Sequence, residues 1–437
     1  QSGAKESDPG VSRLRTEIFQ LTDEYSRLTR RLEHEHPKYF DLKYSTRVST
    51  PAELRSTFLR ENPHAALVEY SLVDSSLNIL LLTARDIAVY DTFLTEDIGR
   101  SVRGLRNAIT GKVDDQFVSI SESLYDALWK PVDRMLGDQA AIDQVVIIPD
   151  GILSYLPFET LIRREAGRGR SGFGRRAFLG KKYTISYAIS ATQVLNTYTA
   201  PHRYGDRDFI AFAPVFSEGS QTNFLVNTTT RSMAASDTTM RDFAPGGKIP
   251  PIPGSEDEVI TIKRLFDRKN LFARYFIFRD AREMALKDPQ LGGFKYIHLA
   301  THGIVNDRYP ELSALLMSQD SAGGNDGILY AGEIYGLEWN AELVTLSACE
   351  TGLGKIAEGE GILGLTRAFM YAGARNLLVS LWKVSDASTS QLMISFYNGL
   401  LSGKGKARSL QEAKIKLISS KKFNDPYYWA PFVLLGY

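Results

Sequence analysis

Thiols are almost absent from this chain of 437 residues, which has one cysteine, Cys349. That excludes an intramolecular disulfide and any zinc site built from cysteines, and it fits a cytoplasmic protein best. Long apolar runs are missing as well. No stretch approaches the roughly 20 residues of a membrane helix, and no cationic start followed by an apolar run resembles a signal peptide, so no membrane partner is expected. Net charge is lacking too: 52 Lys and Arg face 51 Asp and Glu. No global field draws the chain to nucleic acid, and direct nucleic-acid binding is not expected. Gly359, Gly361 and Gly364 superficially resemble a phosphate loop, but no Lys-Ser or Lys-Thr follows them. With no metal constellation either, no cofactor is expected. An initiator Met is also missing, the chain beginning Gln1-Ser2-Gly3, which reads as a processed form or as a fragment of something longer whose upstream domains are missing.

What is present is an ordinary globular composition, 43% hydrophobic and 24% charged, over a length that suits two or three domains or one large one. Leu14, Ile18, Leu21, Tyr25, Leu28 and Leu32 alternate at four and three residues, which predicts a long amphipathic helix over 11–36. It reads as a core-covering helix or as the last helix of a missing repeat array. A second helix is expected near 52–62, then strands over 65–92 with a hairpin at Asp74-Ser75-Ser76, then helices over 97–110 and 114–136. From residue 144 the pattern becomes short apolar runs, at 145–148, 183–187, 209–213, 296–299, 343–346 and 376–381, separated by helical segments. Uninterrupted runs suit strands buried on both faces, and the helices suit crossovers. The expected fold is α/β, a mainly parallel sheet flanked by helices. The division is 1–63 for N-terminal helices, 64–143 for a hairpin and helical extension, and 144–437 for the α/β domain. The Arg-rich segment 163–176 and the Ser/Thr/Asn-rich segment 217–247 read as surface loops.

Two of the buried runs end in reactive residues. Phe294-Lys295-Tyr296-Ile297-His298-Leu299-Ala300-Thr301 delivers His302-Gly303, and Leu343-Val344-Thr345-Leu346-Ser347-Ala348 delivers Cys349. In open α/β sheets, ligands gather outside the carboxyl ends of strands. A free thiol has a pKa near 8.5, so a neighbouring imidazole is needed to supply thiolate at neutral pH. The imidazolium then returns the proton to a leaving amine. The amides of Gly303 and Cys349 are the natural oxyanion donors, and glycine after the histidine lets the backbone approach closely. His298, inside the apolar run, reads as a packed, hydrogen-bonded core residue.

These segments resemble a known family. His298-Leu299-Ala300-Thr301-His302-Gly303, Leu346-Ser347-Ala348-Cys349-Glu350-Thr351-Gly352, the Gly359-to-Phe369 run and Leu381-Trp382-Lys383-Val384-Ser385-Asp386 are similar to the CHAT-domain peptidases. The likeness extends back to Pro149-Asp150-Gly151 and on to Glu159. The resemblance implies a caspase- and separase-like cysteine peptidase of clan CD, commonly fused behind tetratricopeptide repeats. By position, Cys349 matches its nucleophile and His302 its general acid/base. Ser347, Ala348, Glu350 and Thr351 depart from the Gln-Ala-Cys surroundings of eukaryotic caspases, so aspartate specificity is not implied.

For the substrate pocket we expect Asp150, Glu350, Trp382 and Asp386, an acidic lining that favours Lys or Arg; Asp386 also reads as a helix cap. The Gly352–Gly364 segment, with Glu358 and Glu360, reads either as a packing loop or as a switch ordered by a partner. The expected partners are a protein substrate and a regulatory protein or ribonucleoprotein acting through an upstream region. The resemblance implies a role in bacterial immunity or programmed cell death. Two alternatives stay open: a regulatory scaffold with a latent dyad, and an acyl-transfer enzyme acting on a non-peptide substrate.

Overall fold

A computed structural model describes residues 48–437 except 95, 138–140, 165–171, 202–204, 217–248, 307–309, 320–324, 348–360 and 383–384, together with Arg27 and Arg31. The contacts divide the chain into Gln1–Val48 and Ser49–Tyr437. Arg27 and Arg31 are helical, and the rest of the predicted first helix lies outside the described residues.

The second unit is built on an eleven-stranded sheet. Three strands, β1 (Ala65–Val73), β2 (Ser76–Thr83) and β3 (Ile87–Phe93), form antiparallel hairpins at one edge. The first turn is Asp74-Ser75, where Asp74 takes a φ of 51°, a left-handed conformation that Asp tolerates better than most residues. The remaining strands are β4 (Gln144–Ile148), β5 (Thr184–Tyr187), β6 (Arg207–Ala213), β7 (Ala273–Ile277), β8 (Phe294–Ala300), β12 (Leu343–Ser347), β13 (Leu377–Ser380) and β14 (Phe432–Leu435). Between β8 and β12 the chain makes a small separate sheet of β9 (Gly303–Ile304), β10 (Ala314–Leu316) and β11 (Ile328–Tyr330).

The order of the large sheet is β3-β2-β1-β4-β5-β14-β13-β12-β8-β6-β7. Seven of its ten neighbouring pairs are parallel. Every residue of β12, β13, β14 and β5 is buried, as strands covered on both faces require. β1 pairs in parallel with β4, which joins the hairpins to the rest of the large sheet.

One antiparallel contact has large consequences for the site. β14 runs parallel to β5 but antiparallel to β13, so strand polarity reverses there. The tips of β13, β12, β8, β6 and β7 leave one edge of the sheet, whereas the tips of β4 and β5 leave the other.

The helices used below are α1 (Ile98–Thr110), α2 (Ala191–Thr199), α3 (Gly254–Asp267), α4 (Gly361–Tyr371), α5 (Asp386–Leu401) and α6 (Lys406–Ile418). α3 begins just after Pro253 and carries Glu256 and Asp257 in its first turn, the charge arrangement that a helix amino end favours. The predicted helix over 114–136 is helical throughout but passes through a π-turn at Tyr125–Trp129. Trp129, Trp339, Trp429 and Tyr397 are among the largest fully buried side chains.

Candidate active site

β8 and β12 are adjacent and parallel, with Thr345 beside His298 and Ser347 beside Ala300. The two strands therefore end level with each other. His302 follows two residues beyond Ala300, and Cys349 stands two residues beyond Ser347 in the sequence. Cys349 and Glu350 lie outside the described residues.

His302 is 1% exposed. Its Nε2 lies 2.6 Å from the carbonyl oxygen of Pro250, and its ring stacks on Phe216 at 5.3 Å between centroids. A carbonyl only accepts, so Nε2 carries the proton that is shared with Pro250. In the neutral ring, Nδ1 is then the basic nitrogen. The backbone is also fixed: Leu316 N–H donates to the His302 carbonyl at 2.9 Å, and the Thr301 hydroxyl donates to the carbonyl of Leu316. Gly303 faces Leu315 in the β9–β10 pair. Because the bond to Leu316 comes from the preceding residue, Gly303 and Leu315 are a non-hydrogen-bonded pair, and the Gly303 N–H points away from β10.

A buried polar network underlies the tips. Glu258 of α3, 3% exposed, accepts on Oε1 from the Ser347 hydroxyl at 2.5 Å, and the same oxygen lies 2.8 Å from Nε2 of His298. Nδ1 of His298 is 3.2 Å from the Tyr397 hydroxyl, which is 3.0 Å from Thr345 Oγ1. Burial pushes the Tyr397 phenol well above its ordinary range, so it stays a neutral donor. His298 is thus the satisfied core residue that its place in an apolar run suggested.

Among the described residues, the expected pocket residues Asp150, Trp382 and Asp386 do not converge. Asp150 follows β4, whose polarity is reversed relative to β8 and β12, so it leaves the opposite edge of the sheet from His302. There its carboxylate accepts from the Leu72 N–H at 2.7 Å and anchors β1. Trp382 follows β13 at the correct edge but is 3% exposed. Its indole N–H donates to the Tyr427 carbonyl at 3.2 Å, and the Arg106 guanidinium lies 5.8 Å from its ring. It is a core aromatic, not a pocket wall. Asp386 does stand at the edge: it is the first residue of α5, exposed, and accepts from the Gly254 N–H at 3.3 Å. Most of the Gly352–Gly364 segment lies outside the described residues, and its last four residues begin α4. Arg164 pairs with Glu122 at 3.2 Å on the surface, and residues 217–247 are not among those described.

Pro250 and Glu258 carry geometry that the sequence reading passed over. Nothing in the proline-rich stretch or in the acidic run after it shows which carbonyl will meet an imidazole. A mainly apolar cavity, partly open to solvent, lies over β14 between Tyr155, Leu156, Tyr187, Val379, Leu381 and Val433. His302 does not line it.

Mouse tetratricopeptide repeat protein 28 is 24% identical over 357 residues, 72% of this chain and 13% of the relative. Its human counterpart is 38% identical over 109 residues, 25% of this chain and 4% of the relative. The chain thus spans a small part of the curated relatives it matches. Among solved structures, the Saccharomyces cerevisiae separase–securin complex aligns over 92% of this chain and 32% of that one, at 11% identity and a TM-score of 0.49. The Arg-specific cysteine proteinase gingipain R aligns over 71% and 67%, at 10% identity and a TM-score of 0.43. The family model for the CHAT domain matches residues 118–437, nearly three-quarters of the sequence, and the chain belongs to the CHAT domain family.

Proposed function

We propose that the chain is a cysteine endopeptidase that cuts a specific protein partner, with Cys349 as nucleophile and His302 as general acid/base. The observation that carries this reading is the level, parallel ending of β8 and β12, Ser347 beside Ala300, with His302 held by the Pro250 carbonyl so that Nδ1 is its basic nitrogen. In the proposed reaction the imidazole takes the thiol proton and the thiolate adds to the scissile carbonyl carbon. The oxyanion is held by the N–H groups of Gly303 and Cys349. The imidazolium then protonates the leaving amine as the C–N bond breaks, and water hydrolyses the thioester.

The reading extends to control by a regulatory protein or ribonucleoprotein through an upstream region, and to a role in defence or programmed death. The tetratricopeptide repeats named in the relatives support the first extension; the second rests on the family resemblance alone. The test is to incubate the protein with candidate partners, including products of neighbouring genes, and to map new termini by mass spectrometry. Cleavage is expected, with loss of at least about 1,000-fold in Cys349→Ala and His302→Ala. Cleavage that persists in Cys349→Ala overturns the assignment.

A further inference from the structure

The two outermost strands of the large sheet, β3 at one side and β7 at the other, both present unpaired backbone. The Leu94 N–H donates to the Ser75 carbonyl at 2.7 Å and the Thr83 N–H to the Asp86 carbonyl at 2.9 Å, which sets the phase of the β2–β3 ladder. Ala88, Tyr90 and Thr92 therefore bond to β2, and the N–H and C=O groups of Ile87, Val89 and Asp91 point away from the sheet. On the far side, the Phe209 N–H donates to the Phe272 carbonyl at 3.0 Å. In a parallel ladder that turns Arg274 and Phe276 towards β6 and leaves the backbone groups of Ala273 and Tyr275 facing outward. Such rows of free donors and acceptors are templates for another strand. Apolar side chains accompany them: Ile87, Val89 and Phe93 are exposed on β3, and Phe272, Tyr275 and Phe278 on or beside β7.

Charge separates the two strands. From Glu69 to Asp97 the chain carries Glu69, Asp74, Asp86, Asp91, Glu96 and Asp97 against Arg85 alone. From Arg268 to Arg282 it carries Arg268, Lys269, Arg274, Arg279 and Arg282 against Asp280 alone. Asp97 is answered by Arg100 at 4.0 Å. Among the described residues Asp74, Asp91 and Glu96 make no ion pair, and neither do Arg268, Lys269, Arg274 and Arg279, all of them exposed. A chain of net charge +1 thus carries opposite local charge at the two sides of one sheet. Like charges facing each other across a strand pair oppose it, and opposite charges favour it. Two β3 strands would meet acid to acid and two β7 strands base to base, whereas β3 and β7 are complementary. Within one chain they stand ten strand spacings apart, roughly 48 Å along the sheet, so they can meet only between copies.

We propose that copies of this chain associate side to side, β3 of one pairing with β7 of the next, so that the sheet continues from copy to copy. The contact is heterologous: it closes into a ring or grows as an open chain, and it does not stop at a symmetric dimer. Seven residues of β3 against five of β7 make a contact at the small end of interface sizes, with a Kd of about 10–100 µM. The inference does not depend on the peptidase reading.

The test is sedimentation velocity on the full chain from about 1 to 200 µM, at about 50 and 500 mM NaCl. The average sedimentation coefficient is expected to rise with concentration at low salt. At high salt the association is expected to weaken at least about threefold. Val89→Pro removes an outward N–H that β2 does not use, a place where an outermost strand tolerates proline, and it is expected to stop the growth. Asp91→Lys takes acid charge from the β3 side and Arg274→Glu takes basic charge from the β7 side. Each alone is expected to associate at least about threefold more weakly. An equimolar mixture of these two variants brings unlike charges together again and is expected to regain association. Thermal melts show which variants fold, and if Val89→Pro does not, the two charge variants and their mixture decide. A monomer across the whole range overturns the inference. So does association that stops at two copies, that persists in a folded Val89→Pro, or that the mixture fails to regain.

Discussion

Glu258 is the side chain on which the most buried chemistry converges, because one oxygen serves both His298 and Ser347 from neighbouring strands. Glu258→Ala leaves two buried groups without their acceptor, at about 1–3 kcal/mol for each. Urea unfolding should show the midpoint fall accordingly, with Glu258→Gln less affected because its amide oxygen still accepts. Midpoints unchanged in the alanine variant would contradict the brace. The strands that precede His302 and Cys349 were legible because their apolar runs are short and unbroken. The partners of His302 were not, since a backbone carbonyl has no residue signature and Phe216 is 86 positions away in the sequence. Asp150 illustrates the converse. Its position after a buried run reads the same as that of Cys349, but which edge a strand leaves depends on polarity, and polarity is fixed by pairings remote in sequence.

At the scale of elements, α6 is tied to the segment after β4 by a buried ion pair, Lys414 Nζ to Glu159 Oε1 at 2.6 Å, with side chains 4% and 5% exposed. The Tyr187 hydroxyl donates to the other oxygen of Glu159 at 2.5 Å, which joins the turn to β5. Breaking such a pair from one side leaves a buried charge, so Lys414→Met should cost about 3–5 kcal/mol. The double variant Lys414→Met, Glu159→Gln should recover part of that loss in thermal melts; a double variant less stable than either single one would contradict the pairing. The parallel runs of β8 and β12 were readable from hydrophobicity alone. The reversal at β14 was not, because Phe432–Leu435 is a four-residue apolar run with no mark of direction.

Across the whole molecule, buried phenols set a limit on alkaline stability. Burial holds Tyr70 and Tyr397 well above the usual range. Tyr187 is raised likewise by burial and by the Glu159 carboxylate, and Tyr437 is pushed up to about 12, chiefly by burial. An unfolded tyrosine loses its proton near pH 10. Below that both states keep the proton; above it only the unfolded state releases it, so stability falls as pH rises through 10 and onward through the folded values. Melting temperatures should be level to about pH 9 and then drop, with the tyrosinate absorbance of these buried phenols rising only on unfolding; a flat profile to pH 11 would contradict it. Among the described residues no helix is long and apolar enough to cross a membrane. The large sheet, whose hairpins and strands share one unit from Ser49 to Tyr437, supplies the frame that brings two strand tips level. The central claim about that frame is that His302 activates Cys349. It is tested most directly by the pH dependence of iodoacetamide alkylation at Cys349 in the wild type and in His302→Ala. Rapid modification is expected below the ordinary thiol range, near pH 6–7, with a shift of the profile to about 8.5 or above when the imidazole is removed. Profiles that coincide in the two proteins would contradict it.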